Sequence, residues 1–284
     1  MKPIHLSVGR INIDILVKLD RLPEIDEALT TDLLEILPGG AAVNYSVAVT
    51  KLGHSAKVLA KVSKDQIVSS IMEKIVENGV GLDYVEEVDA PPSVALIFLR
   101  TDGKISMVRR LGASTLISKD DVNKLIGMFD VIHFASIPPS IVIRDPYAKL
   151  VTYDPGPFSS SIDNVDVDIL YVNEREYQRL NGKRINARWV VVKMGSKGAK
   201  LITENQECEV EAYKVNVIDT TGAGDVFDAT FNYCYLEGCS IEESLQMATV
   251  ASALKVTRIG GISSPTKDEI REVLKNFKPK VVCK

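Results

Sequence analysis

Short apolar runs alternate with segments of helical period along most of the chain. Residues 4–8, 56–62, 131–135, 149–153, 169–172 and 189–193 are rich in β-branched side chains and bounded by Gly, Pro, Asp or Asn. That is the pattern of strands buried on both faces. Helical spacing predicts helices over 41–52, 66–78, 119–128, 173–180, 225–237, 241–258 and 266–277. Thr266 with Glu269 three residues on makes a capping box for the last of them. Strand–helix alternation predicts a three-layer α/β/α fold with a mainly parallel central sheet.

Two regions break the rhythm. Residues 11–37 and 93–110 carry strand-like segments with no helix, and Asp102-Gly103 is a hairpin signal in the second. Paired together they predict a small β-sheet lid on the core, able to exclude water from a transfer reaction. A surface hairpin without function is the plain alternative. No repeat or linker interrupts the chain, so residues 1–284 read as a single domain.

Composition narrows the class. Charged residues make up 25% with a net charge of −4 and no block of either sign, which gives no support to nucleic-acid binding. No signal peptide or 18-residue apolar span is present, which predicts a cytoplasmic protein with no membrane partner. Cys208, Cys234, Cys239 and Cys283 form no Cys-x-x-Cys pair and are expected to be reduced thiols. His5, His54 and His133 each lie near an apolar run and are expected to be structural.

The chemistry concentrates at Asp219-Thr220-Thr221-Gly222-Ala223-Gly224-Asp225, at the mouth of the helix predicted from 225. Small residues let backbone N–H groups approach a ligand, and a helix N-terminus favours an anion. A carboxylate there repels an anion unless its task is to take a proton from a hydroxyl attacking a phosphate. The stretch therefore points to phosphoryl transfer to an alcohol. A Rossmann fingerprint fails, because Phe227 occupies the third glycine position and the run lies late in the chain. No P-loop motif occurs. A second small-residue helix start, Pro38-Gly39-Gly40-Ala41-Ala42-Val43-Asn44, places an amide one turn into a helix. Asn44 and Asp14, the latter just after the first strand, suit sugar hydroxyls, although a cap and a turn former are the ordinary uses of such residues.

Together these residues resemble the ribokinase (PfkB) family of sugar and nucleoside kinases over essentially the whole chain. The matching stretches are residues 9–14, 39–44, Asn173-Glu174-Arg175-Glu176, 193–199 and 219–225. The resemblance implies an ATP- and Mg2+-dependent phosphotransferase acting on a sugar or nucleoside hydroxyl. Asp225 is then the general base, and the N–H groups of Gly222, Ala223 and Gly224 form the anion hole. Asp14, Gly39, Gly40 and Asn44 bind the acceptor. Lys193, Gly195, Gly198 and Thr220 lie on the nucleotide side, with Ala251, Ala253 and Gly260-Gly261 as weaker candidates for the adenine wall. Glu176 and Asn173 hold magnesium through water. Asp219 and Thr221 stand where some members place a monovalent cation. A homodimer paired through the lid is also implied.

The chain departs from the family after the fifth strand. Asp154-Pro155-Gly156-Pro157-Phe158 lacks the Asn and Arg of the Asp-x-Asn-x-Arg pattern, which puts the phosphate contacts there in doubt. Gly112-Ala113-Ser114 is similar to the Gly-Ala-Asn of ribose- and nucleoside-type members. The acceptor expectation therefore leans to a nucleoside or ribose over a hexose or ketodeoxy sugar acid. Arg100, Arg109 and Arg110 in the lid leave room for an acceptor that already carries a phosphate. A non-catalytic sugar- or nucleotide-sensing module is the competing class, since fold alone does not fix function.

Overall fold

The computed structural model describes residues 2–101 and 103–284. In chain order the strands are β1 (Ile4–Gly9), β2 (Asn12–Lys18), β3 (Leu34–Gly39), β4 (Ser55–Ser63), β5 (Gly81–Val88), β6 (Val94–Leu99) and β7 (Ile105–Arg110). There follow β8 (Val131–Ala135), β9 (Leu150–Asp154), β10 (Val165–Asn173), β11 (Ile185–Lys193), β12 (Ala199–Ile202), β13 (Glu207–Val210) and β14 (Val281–Cys283). The helices are α1 (Ala41–Leu52), α2 (Gln66–Glu77), α3 (Lys119–Asn123), α4 (Glu174–Gln178), α5 (Ala223–Leu236), α6 (Ile241–Lys255) and α7 (Lys267–Asn276).

The large sheet runs β14-β13-β12-β11-β10-β9-β8-β1-β4-β5. Its pairs from β5 to β11 are parallel, and the β11–β14 end is antiparallel. Alternate residues of each parallel strand go to opposite layers, as the two-residue strand period requires. On β10, Ile169 and Tyr171 pack with Phe227, Phe231 and Leu245 of α5 and α6. Leu170 and Val172 face the other way, with Val122 of α3 and Leu180 just beyond α4. The three-layer expectation therefore holds, with β5 and the short strands β12–β14 added to the runs seen in the sequence. The helix predicted over 119–128 ends at Asn123 and continues as turns.

The second sheet is β3-β2-β6-β7, built from the two regions that broke the rhythm. Its outer pairs are antiparallel and its central β2–β6 pair is parallel, so it is mixed. The β6–β7 hairpin forms, although Asp102 of its turn signal lies outside the described residues.

Asp14, just after the first strand, lies inside β2 with its side chain buried. One detail corrects the sequence reading. Cys208 and Cys283 are not reduced thiols: they form a disulfide. The β13–β14 pairing places them directly opposite one another, a juxtaposition that 75 residues of separation conceal. Cys234 and Cys239 remain free.

The histidines are structural, as expected. His5 Nδ1 meets the Tyr45 hydroxyl at 2.8 Å, His5 Nε2 meets His54 at 2.9 Å, and His133 bonds Thr152 at 2.8 Å while stacking on Tyr45. Burial holds His133 neutral, with its pKa pulled down to about 3. No helix among the described residues is long and apolar enough to cross a membrane.

Candidate active site

The site lies where the N-termini of α1 and α5 converge. Gly40 caps α1 at φ 100°, and Gly222 caps α5 in the left-handed region at φ 78°. At both positions a side chain is strained by the backbone and also blocked: a Cβ would meet Arg10 O at 2.2 Å or Gly261 O at 2.7 Å. Neither helix has a side-chain cap. Gly222 and Gly224 donate to no backbone carbonyl among the described residues, while Ala223 makes only a long turn bond to Thr220 O, 3.3 Å. Orphan donors at the start of a 14-residue helix are an anion site.

Asp225 sits in the first turn of α5, half-buried, and its Oδ2 accepts from Asn44 Nδ2 at 2.8 Å. Desolvation raises its pKa to about 6, against the Asn44 bond that lowers it. A base with that affinity is ionised at neutral pH yet strong enough to take a hydroxyl proton. Asp14 is deeper, 6% exposed. Burial, then Asp219 and Asp225, raise it to about 7. Its Oδ1 and the Oδ1 of Asn44 are buried without a hydrogen-bond partner. Buried polar atoms are nearly always satisfied, so two orphans that both border Asp225 suit a polar ligand. Gly39 is tight against this carboxylate: a Cβ there would overlap both Asp14 oxygens. The predicted acceptor residues are thus brought together.

On the other side of Gly224 lies a cavity of 530 Å3. The predicted nucleotide residues Lys193, Gly195, Gly198 and Thr220 all line it. Of the weaker candidates, Ala253 lines it, whereas Ala251 is packed between helices. Gly260 and Gly261 serve the acceptor side instead, where Gly261 closely approaches the Asn44 side chain. Tyr213, Val215, Val217 and Phe227 complete the apolar wall and were not anticipated. The first three come from a connector with no regular period, and Phe227 was weighed only as a mismatch to glycine.

Lys193 closes the cavity toward the anion hole. Its Nζ bonds Asp154 at 2.7 Å and both oxygens of Asp228 at 2.9 Å, and stands 3.1 Å from where a Gly224 Cβ would be. Burial disfavours its charge, but the two carboxylates outweigh burial and keep it protonated. Burial pushes Asp228 up, while Lys193 holds Asp154 below the usual range against its own burial. Asp154, left behind by the missing Asn and Arg, therefore anchors a lysine.

Asn173 and Glu176 form a reciprocal capping box on α4: Asn173 Oδ1 accepts from Glu176 N at 2.9 Å, and Glu176 Oε2 from Asn173 N at 2.8 Å. The cap engages one carboxylate oxygen of Glu176. Burial and then Asp154 raise its pKa, outweighing the capping bond from Asn173 and the Lys193 and Arg179 charges that lower it. Among the described residues no cluster of three or more His, Cys, Asp or Glu could hold a metal directly. The oxygen of Glu176 outside the cap suits a magnesium ion approached through water, because magnesium keeps its hydration shell readily.

Beneath the anion hole lies a group that the sequence did not single out. Lys255, at the end of α6, is fully buried, and burial lowers its pKa to about 8. A lysine in the last turn of a helix reads as an ordinary partner of the helix dipole.

Comparison with known proteins agrees with this geometry. The profile of the pfkB family of carbohydrate kinases matches residues 5–268. The chain is 31% identical to the ribokinase of Arabidopsis thaliana, over 96% of this chain and 81% of that protein. It is 28% identical to the ATP-dependent ribose-1-phosphate kinase of Halopiger xanaduensis, over 95% and 97% of the two. Among solved structures, Arabidopsis thaliana ribokinase complexed with ribose and ATP superposes with a TM-score of 0.79 at 30% identity, covering 97% of this chain and 99% of that one.

Proposed function

We propose that this chain, which belongs to the pfkB family of carbohydrate kinases, transfers the γ-phosphate of ATP to a primary hydroxyl of a furanose acceptor, ribose or a nucleoside. The observation that carries the reading is the Asn44–Asp225 bond beside the orphaned oxygens of Asp14 and Asn44. A carboxylate of suitable affinity beside two groups that suit hydroxyls supports the reading. Relatives that are a ribokinase and a ribose-1-phosphate kinase support a five-carbon acceptor over a hexose or ketodeoxy sugar acid.

In this mechanism Asp14 and Asn44 orient vicinal hydroxyls and aim the primary one at Asp225. Asp225 takes the proton as the oxygen attacks in line with the departing ADP. The N–H groups of Gly222 and Gly224, with Ala223 between them, stabilise the charge on the transferring phosphoryl group. Lys193 adds a fixed positive charge on the nucleotide side. Glu176 and Asn173 would hold magnesium through water, and the metal, when bound, neutralises the polyphosphate. A sensing module has no use for a base poised at Asp225, which favours the enzyme.

A second acceptor reading rests on Arg10. It is buried against the Phe158 ring, 5.5 Å from its centroid, and forms no ion pair among the described residues. Burial and then Arg109 pull its pKa down to about 10. A guanidinium left without a carboxylate suits an acceptor that brings its own phosphate. An ATP-coupled assay over ribose, nucleosides, ribose 1-phosphate, fructose and 2-keto-3-deoxygluconate tests both readings. Ribose or nucleosides should exceed fructose and the sugar acid by at least about tenfold in kcat/KM, a gap of about 1.4 kcal/mol. A hexose or sugar acid as best acceptor refutes the furanose, and no ATP consumption with any of them favours the sensor.

One face of the small sheet exposes Leu34, Ile36 and Val108. Pairing two such sheets in a homodimer would cover them. A monomer mass at all concentrations in light scattering would remove that part of the reading.

A further inference from the structure

Lys255 has no exposed surface and no carboxylate within ion-pair reach among the described residues. Its Nζ donates instead to two main-chain carbonyls, Asp219 O at 3.3 Å and Arg258 O at 3.2 Å. An ammonium that is taken out of water and given only carbonyls is costly, so its retention calls for a compensating role.

The two carbonyls belong to the segments that build the anion hole. Asp219 opens the turn leading to Gly222. Arg258 precedes Gly260 and Gly261, and Gly261 backs directly onto Gly222 and Asn44. The end of α6 also holds the first segment through Val256 O, which accepts from Ile218 N at 2.7 Å and Asp219 N at 3.1 Å. Lys255 is therefore the tie between two loops that must keep the Gly222 and Gly224 N–H groups aimed at one point.

The Asp219 carboxylate is largely engaged by the protein itself. Its Oδ1 accepts from Thr221 N at 2.9 Å and Thr221 Oγ1 at 2.7 Å, and its Oδ2 from Gly260 N at 2.8 Å. Its carbonyl already serves Lys255. The monovalent cation implied by the family resemblance does not fit residues engaged in this way. Potassium and ammonium are close in size, and both are satisfied by carbonyl oxygens.

We propose that the Lys255 ammonium is a covalently tethered counterpart of a bound monovalent ion, joining the Asp219 and Arg258 carbonyls to hold the anion hole, so that phosphoryl transfer needs no added potassium. It is a positioning residue, not one that touches substrate. The inference rests on the kinase reading above.

The test compares choline chloride, whose cation is too bulky to enter, with KCl and NH4Cl at equal ionic strength. Wild-type kcat with ATP, magnesium and ribose should change by less than about twofold among them. Lys255→Ala should lose on the order of 10²-fold in choline, the scale of a disturbed oxyanion site, and regain at least about tenfold in KCl or NH4Cl. Lys255→Met fills the same space without charge, and should lose the rate with no rescue. A wild type activated about tenfold or more by potassium, or an alanine variant with unchanged rate, overturns the proposal.

Thermal melting of the ligand-free protein gives a readout independent of turnover. Potassium and ammonium should raise the midpoint of Lys255→Ala relative to choline and leave wild type unmoved. Wild type inactive on every acceptor defeats the kinase reading, and the melting comparison then decides on Lys255 alone. If the alanine variant does not fold, a potassium-specific rise in the wild-type midpoint still overturns the proposal, and its absence upholds it.

Discussion

Lys193 reaches both oxygens of Asp228 at 2.9 Å, one helical turn beyond Gly224. A cation is thus held at the phosphate side of the anion hole by the same helix that supplies the hole. Lys193→Met should raise KM for ATP and lower kcat, together by about 10²-fold in kcat/KM, because a phosphate-facing charge acts in both ground and transition states. It should also destabilise the fold by about 3–5 kcal/mol, since two carboxylates lose their partner in the interior. Steady-state kinetics and urea unfolding check the two parts separately. Unchanged ATP dependence would place Lys193 away from the phosphates.

Asp225→Asn should cost on the order of 10²–10⁴ in kcat while nucleotide binding survives. The same group sets the acid limb of the pH profile. Its pKa is about 6 and the base must be ionised to act, so kcat/KM should fall as pH drops through that value. The asparagine variant should lack this limb. A pH–rate profile of both proteins, with binding of ADP by calorimetry, provides the check. Near wild-type turnover would end the assignment of the base.

Asp14 sets acceptor binding against stability. Its folded pKa of about 7 lies above the unfolded value, so the native state binds a proton more tightly than the unfolded one. Stability is therefore lost as pH rises from the unfolded pKa through about 7. Asp14→Asn removes the buried charge. It should melt at higher temperature than wild type at pH 8 and close to it at pH 4, while KM for the acceptor rises. Equal melting of the two proteins at both pH values would contradict the burial argument.

For Glu176 the expected change is in the metal. Glu176→Gln should raise the magnesium concentration giving half-maximal rate, as magnesium prefers charged oxygen and its bound waters orient on charge. The amide can still accept one bond of the capping box, so the midpoint of unfolding should move little. An unaltered magnesium titration would leave Glu176 with its helix-capping role alone.

Cys283→Ser opens a cross-link spanning 75 residues. Loop-closure entropy puts the upper loss at about 4.5 kcal/mol. Because β14 lies at the far edge of the large sheet, acceptor ranking should stay as in wild type. Guanidinium unfolding with and without reductant measures the effect. A reductant-insensitive midpoint would mean that the bridge contributes nothing.

The parallel centre of the fold and both helix mouths were legible because each rests on a local pattern. Strands β1, β4 and β8–β11 are β-branched runs, and Gly40 and Gly222 stand where only small residues fit. The edges were not. β5 carries Asp83, Glu86 and Glu87, since an edge strand is half-exposed, and β12–β14 are too short to show a period. The gathering of Asp14, Asn44 and Asp225 came from the family resemblance, since nothing local links β2 to α5. Lys255 and the Cys208–Cys283 bridge escaped for a common reason. Each takes its meaning from a partner distant in sequence, and each looks ordinary beside its own neighbours.

Gly103, at the tip of the β6–β7 hairpin, lies against Val217: a methyl there would meet Val217 Cγ1 at 2.9 Å and its carbonyl at 3.1 Å. Val217 is also part of the nucleotide cavity wall. The acceptor-side sheet and the donor-side wall therefore share a seam remote from the reacting atoms. A shift of the hairpin on binding one substrate would press on the pocket of the other, and linkage would make that influence mutual. A bulky residue at position 103 becomes a wedge in the seam. It would weaken the energetic conversation between the two substrates while leaving Asp225 and the helix mouth around Gly222 in place.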